Sequence, residues 1–255
     1  MHVALPPSVS PQILWLPSVG STNDELRERA LTDPAGWPHL SVIATDDQRC
    51  GRGRLGRRWE APAGRTLAAS TLLDASCLPA SALGWVSLLA GAAVARAISP
   101  RVDASVTVKW PNDVLLEGRK VAGVLAERLP DGRVVVGTGV NLLLAEDELP
   151  TPTATSLALA GASTTDAGTV LAAYLTEFSA LLAPLFVHGD AEASGAADAV
   201  RALCSTLGAR VRLELSGGRY EEGIAVGLDA GGRLLLKQGA VRSAFAAGDV
   251  THLRF

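Results

Sequence analysis

Residues Ser105 to Val140 read SVTVKWPNDVLLEGRKVAGVLAERLPDGRVVVGTGV, and this stretch decides the fold. Apolar and β-branched residues fill Ser105–Val108, Val114–Leu116, Lys120–Arg128 and Arg133–Val140. Glu117-Gly118 and Asp131-Gly132 fall between runs, where a chain reversing between antiparallel strands needs turn residues. Four successive short strands with tight turns make a mostly antiparallel sheet. Long helical segments elsewhere then give an α+β class, with the helices expected to one side of that sheet.

Working outward, Ile13–Pro17, Leu40–Ala44 and Thr66–Leu73 read as further strands. Ser21-Thr22-Asn23 followed by Asp24-Glu25 reads as a capped helix start. That helix extends to about Leu31. Leu83–Ile98 is an apolar helix, and Asp166–Val187 and Ala191–Leu203 are two more. Beyond Ala209 short β-rich runs (Val211–Leu215, Glu222–Leu228, Leu234–Lys237, Gly239–Phe245) alternate with glycine turns, the pattern of a small all-β module. The expected division is 1–205 and 206–255.

Composition narrows the function. The chain has 255 residues, 48% of them hydrophobic and 19% charged, enough for a buried core. A net charge of −3 argues against a protein whose main task is gripping nucleic acid. Cys50, Cys77 and Cys204 are widely spaced, which provides neither a disulfide framework nor a zinc site and suits a reducing cytoplasm. No signal peptide is visible. Leu83–Ala95 is short of the ~20 residues that span a bilayer, so no membrane partner is expected. Lysine is scarce: of 23 basic residues three are Lys109, Lys120 and Lys237. Two of the three sit in the quoted stretch, where chemistry would favour a compact ammonium over a planar guanidinium.

Three segments carry chemistry. Gln48–Trp59 packs five arginines and three glycines into twelve positions. Glycines let backbone amides approach an anion, arginines bind phosphate or carboxylate with paired hydrogen bonds, and Trp59 offers a stacking surface. It is neither a Gly-Lys-Ser/Thr phosphate loop nor a dinucleotide fingerprint, and alone it would more often be solvated surface. Lys109–Asp113 and Lys120–Glu127 put Asp113 and Lys120 near the two ends of a hairpin. Gly137-Thr138-Gly139-Val140-Asn141 closes a strand with small residues.

Taken together these segments resemble the biotin protein ligase family: Ser-Thr-Asn near the start, a Gly-Arg-Gly-Arg-x-Gly-Arg-x-Trp loop, Lys-Trp-Pro-Asn-Asp, Lys-x-Ala-Gly-Val-Leu-x-Glu and Gly-x-Gly-x-Asn, in order. The resemblance runs from about residue 13 to 255. It implies a class II synthetase-like catalytic domain and a C-terminal SH3-like barrel, with Gly248–Arg254 as the usual ending. It implies an ATP-dependent ligase that makes biotinyl-5′-AMP and passes biotin to a lysine of a biotin carboxyl carrier domain. On this resemblance Ser21, Thr22, Asn23, Gln48 and Gly123 line the biotin pocket. Arg52, Gly53 and Arg54 lie over biotin and the phosphates, and Arg57 reaches phosphate oxygens. Trp59 packs on adenine, and Asn141 lies near the nucleotide. Lys120 contacts the biotin carboxylate and α-phosphate, with Arg54 assisting catalysis. Asp113 orients Lys120 or helps hold Mg²⁺.

Cys50 stands where the pattern has a small residue such as Ala or Thr. It is expected either to pack behind the loop or to lie open among the arginines. The catalytic pattern begins near Ile13, so the expectation is the short form without a helix-turn-helix, and no DNA binding. Monomer and homodimer both fit. A lipoate ligase or octanoyl transferase is the neighbouring alternative, but its usual Ser-Gly-Gly-Gly loop is not found. A nucleic-acid module using the arginine loop is the alternative of another class.

Overall fold

Alternating Val, Leu and Ala residues build a sheet with two apolar faces. The computed structural model describes every residue except 1, 2, 4, 7, 8, 61, 254 and 255, so Arg254 of the expected ending lies outside the described residues. In chain order the regular elements are β1 (Ile13–Trp15), α1 (Thr22–Thr32), β2 (Val42–Thr45), β3 (Gly51–Arg52), β4 (Arg58–Trp59), β5 (Thr66–Leu73) and α2 (Ala80–Ile98). Then come β6 (Val106–Lys109), β7 (Asp113–Leu116), β8 (Arg119–Arg128), β9 (Val134–Asn141), α3 (Ala167–His188) and α4 (Ala196–Arg201). The last five are β10 (Arg210–Leu215), β11 (Arg219–Leu228), β12 (Leu234–Gln238), β13 (Val241–Phe245) and β14 (Asp249–His252).

The large sheet has the order β1-β2-β5-β9-β8-β7-β6. β1 and β2 run parallel, and the other neighbouring pairs are antiparallel. Side chains alternate across it. Val134, Val136 and Val140 of β9 join the core under α2 and α3, together with Leu67, Ala69 and Leu73 of β5. Val135 and Leu72 point the other way and pack with Leu26 and Ala30 of α1. Helices therefore cover both faces, not one as the sequence suggested. Hydrophobic periodicity gives each helix a buried stripe but does not say which side of a sheet receives it.

α2 is rich in Ala, Gly and Leu, and Gly91 lets it settle against Val108 and Val114. Ala80–Arg101 and Ala167–His188 are each long and apolar enough to cross a membrane by length and composition, which corrects the shorter Leu83–Ala95 span. Most of the first is buried on the sheet and against α3. α4 is shorter than expected because Gly189 and Gly195, both left-handed at φ 66° and 75°, interrupt the helical path before Ala196.

The C-terminal strands form an antiparallel sheet ordered β13-β12-β11-β10-β14. β14 is a strand whose sequence shows a family-like ending but no β-rich run. Two buried indoles fasten this sheet to the first part of the chain. Trp85 Nε1 of α2 donates to the carbonyl of Ala230 at 2.8 Å, and Trp110 Nε1 donates to that of Gly232 at 3.0 Å. Trp110 immediately follows β6, so the same residue joins the site-bearing hairpin to the C-terminal sheet.

Trp110→Phe keeps a comparable ring but leaves the buried Gly232 carbonyl without its donor. It is expected to lower unfolding stability by about 1–3 kcal/mol in urea denaturation, mainly through that unmet acceptor.

Candidate active site

On the face of the sheet that α1 covers, β9 carries Val135, Gly137 and Gly139 in succession, and β8 places Gly123 beside Gly139. Val135 packs under α1, whereas the glycines leave bare backbone. A Cβ on Gly137 would collide with the Asn23 amide, and one on Gly139 would sit 2.5 Å from Trp59 Cε2. This glycine floor underlies a cavity of about 260 Å³, bounded by the start of α1, the arginine segment, the β6–β8 hairpins and the C-terminal sheet.

The α1 end of the cavity is a fixed hydrogen-bond array. Ser21 caps α1 by accepting from the backbone N–H of Asp24. Gln48 Oε1 accepts from the backbone N–H and the hydroxyl of Thr22, at 2.9 and 3.1 Å. Asn23 accepts from Ser70 Oγ through Oδ1 at 2.6 Å, and its Nδ2 donates to Glu127 at 2.6 Å. These contacts fix which way both side-chain amides face.

The arginine segment is not a featureless loop. β3 and β4 pair, with Gly51 opposite Trp59 and Arg52 opposite Arg58, around a turn where Leu55 and Gly56 are left-handed at φ 55° and 75°. Its arginines reach three separate parts of the fold. Arg52 bridges Asp24 of α1 at 2.8 Å and Glu127 of β8 at 3.1 Å. Burial works against the charged guanidinium of Arg52, but Glu127 and Asp24 outweigh it and raise its pKa. Arg54 Nη1 donates to Asn112 Oδ1 at 3.4 Å. Burial lowers the Arg54 pKa, while Asp249 and Asp113 oppose that shift. Arg57 pairs with Asp249 of β14. Trp59 lies on Gly139 and Gly123, 5.9 Å from the Lys120 ammonium, and its Nε1 is buried with no hydrogen-bond partner among the described residues.

Opposite the array, Lys120 Nζ lies 2.5 Å from Asp113 Oδ1 and Lys109 Nζ lies 3.1 Å from Oδ2. Burial alone would raise the Asp113 pKa, but the two ammonium groups outweigh it and hold this carboxyl below the usual carboxylate range.

Residues 15–142 match the biotin/lipoate A/B protein ligase family, and residues 206–253 match the biotin protein ligase C-terminal domain. The chain is 40% identical over 238 residues to a biotin–[acetyl-CoA-carboxylase] ligase of Mycobacterium tuberculosis, covering 92% of this chain and 86% of the relative. The chain belongs to the biotin protein ligase family. A second relative, a biotin–[acetyl-CoA-carboxylase] ligase of Paracoccus denitrificans, is 35% identical over 89% of this chain and 96% of its own length. Among solved structures, a biotin protein ligase from Aquifex aeolicus in complex with biotin and ATP superimposes with a TM-score of 0.78 at 27% identity. That match covers 96% of this chain and 99% of the other.

Of the residues expected from the sequence, Ser21, Thr22, Asn23, Gln48, Arg52, Gly53, Arg54, Arg57, Trp59, Asp113, Lys120 and Gly123 line one cavity. Asn141 does not. It is buried at the end of β9, where Nδ2 donates to the Thr155 carbonyl, so its amide braces the neighbouring loop. Arg57 is held by an acid of the C-terminal sheet. Asp113 does not fit a metal ligand, because both of its oxygens already face ammonium groups. No cluster of three or more His, Cys, Asp or Glu able to hold a metal occurs among the described residues. Cys50 and Cys77 are exposed and Cys204 is buried, so Cys50 does not pack behind the loop.

Sequence reading missed Ser70, Lys109, Asn112, Glu214 and Asp249. Lys109, Asn112 and Asp249 stand inside the family-like motifs but carry no expected role there. Ser70 and Glu214 lie in plain strand sequence with no local signal.

Gly139→Ala forces the Trp59 indole off the floor. Of the chain's five tryptophan indole N–H resonances, the Trp59 signal is expected to shift most in ¹⁵N-correlated spectra of the variant. An unmoved Trp59 signal would show that the indole does not rest on Gly139.

Proposed function

We propose that this chain activates biotin with ATP as biotinyl-5′-AMP and transfers the biotinyl group to a lysine of a biotin carboxyl carrier domain. The observation that carries this reading is the union, in one cavity, of the Thr22–Gln48–Asn23 array and the Lys120–Asp113 pair under the arginine hairpin. In a chain of this family, the array suits a compact polar ring such as the ureido group of biotin, and the cationic end suits a carboxylate and a phosphate. Ser21, Thr22, Asn23, Gln48 and Gly123 form the biotin side. Arg52, Arg54, Arg57 and Trp59 form the nucleotide side.

In the first step a carboxylate oxygen of biotin attacks the α-phosphorus, and the bond to pyrophosphate breaks. Lys120 and Arg54 stabilise the negative charge that builds on the phosphoryl oxygens, held in place before reaction by Asp113 and Asn112. For Arg57 to reach a phosphate it must exchange Asp249 for it, a swap of one anion for another. Magnesium is expected to accompany ATP chemistry, but Asp113 offers it no free oxygen, so each step is assigned to the chain's own side chains. In the second step the neutral ε-amine of the acceptor lysine attacks the acyl carbon and AMP departs. An ordinary lysine titrates near ~10.4, so roughly one in two thousand is neutral at pH 7 and positioning must supply much of the rate. A hairpin seated over the cavity keeps water from the mixed anhydride. Exposed Cys50 and Cys77 suit a reducing cytoplasm, the proposed location.

ATP-dependent transfer of labelled biotin, and not of lipoate, to a carboxyl carrier domain is the expected result. Transfer of lipoate instead would redirect the assignment. Lys120→Ala is expected to cut biotin-dependent ATP/pyrophosphate exchange by about 10²–10³-fold. Lys120→Arg should recover little, because the planar fork cannot take the same place between Asp113 and Gly123.

A further inference from the structure

Lys109 has no part in the steps above, yet it lines the cavity. It ends β6 directly across the ladder from Asp113, the first residue of β7. Lys120 approaches the same carboxylate from β8. The Asp113 side chain is 13% exposed, against 25% for Lys109 and 35% for Lys120. One largely buried carboxylate is thus shared, oxygen by oxygen, between two ammonium groups that are more open to the cavity.

The sharing has two physical effects. With Oδ2 taken by Lys109, Lys120 meets Asp113 through Oδ1 alone. A free Oδ2 would compete for a second Lys120 N–H and turn it away from the cavity. In addition, two ammonium groups around one carboxylate leave the corner with a net positive charge. A Lys120–Asp113 pair alone would be neutral and would attract an anionic substrate far less. Resting on the ligase reading, we infer that Lys109 is a positioning residue for the activation step. It occupies Asp113 Oδ2, which keeps Lys120 on one oxygen with its other N–H groups free for substrate anions.

The groups facing Asp113 are Lys109 from β6, Lys120 from β8 and Arg54 from the hairpin, and Arg54 in turn faces Asp249 of β14. Lys109 is one of the charges that depress the Asp113 pKa. Replacing it with a neutral residue raises that pKa. Activity that needs ionised Asp113 is present above its pKa and lost as pH falls through it. The acid limb of the rate profile therefore moves to higher pH in Lys109→Met. A residue that only supports the fold would leave that limb where it is.

The test is biotin-dependent ATP/pyrophosphate exchange as a function of pH on the full chain. It compares the unsubstituted chain with Lys109→Met, Lys109→Arg, Asp113→Asn and the Lys109→Met/Asp113→Asn double variant, with thermal midpoints measured alongside. Lys109→Met is expected to lower kcat roughly tenfold or more, with its acid limb displaced upward, and Lys109→Arg to restore most of the loss. In the Asp113→Asn background Lys109→Met should add almost nothing, since Lys109 acts through the carboxylate. Exchange at the unsubstituted rate, an unmoved acid limb, or an equal loss with and without the Asp113 carboxylate would each overturn the inference. If Lys109→Met does not fold, Lys109→Gln carries the same comparison. An unsubstituted chain that performs no biotin-dependent exchange overturns the ligase reading itself; a fully active Lys109→Met overturns only the role of Lys109.

Discussion

Bare backbone on one face of two adjacent strands is the constraint from which the site follows. A sheet face with ordinary side chains would pack against whatever covered it. Along β9 the same face changes from Val135, buried under α1, to Gly137 and Gly139, which have nothing to bury. α1 can cover only the first part. The Asn23 amide fills the space over Gly137, the Trp59 indole rests on Gly139, and the remaining room is the cavity. Thr138, between the two glycines, points to the opposite face and donates to the buried hydroxyl of Tyr174 in α3 at 3.0 Å. The floor is therefore open on one side and pinned from behind on the other.

Charge is distributed over that floor with the same economy. The cations near the cavity are not scattered: Lys109 and Lys120 share Asp113, Arg52 shares Asp24 and Glu127, and Arg57 takes Asp249. Each arrangement holds a positive group in a defined place before any ligand arrives, which is where electrostatic catalysis gains most. Asp249 comes from the last strand of the C-terminal sheet. That sheet is accordingly part of the site and not only an appendage, and the indoles of Trp85 and Trp110 keep it there.

The residues along the cavity wall were legible because their chemistry is unusual in sequence. Five arginines among three glycines, two of three lysines within one hairpin, and a Gly-Thr-Gly strand end are compositional events. What escaped notice depends on geometry that no local pattern encodes. Asn141 has the composition of a site residue but lies past the glycines, where a carbonyl claims it. Ser70 is an ordinary strand serine that matters because β5 passes beneath the start of α1. The side of the sheet taken by α1 was equally hidden, since its buried stripe of Leu26 and Ala30 would suit either face. The β3–β4 pairing reads as loop in sequence because glycine and arginine are poor strand formers; the ladder there is set by the turn at Leu55–Gly56.

The three anchors of the arginine hairpin have a mechanical consequence. Arg52, Arg54 and Arg57 hold it to α1 and β8, to the β6–β7 turn and to β14, through polar contacts at partly exposed groups. Dissolved ions weaken such contacts, whereas the Val, Leu and Ala packing between sheet and helices is not screened in this way. The mouth and the body of the molecule thus answer to different properties of the surrounding solution. Ionic strength can set how readily the hairpin lifts while leaving the scaffold that aligns Lys120 over the glycine floor as rigid as before.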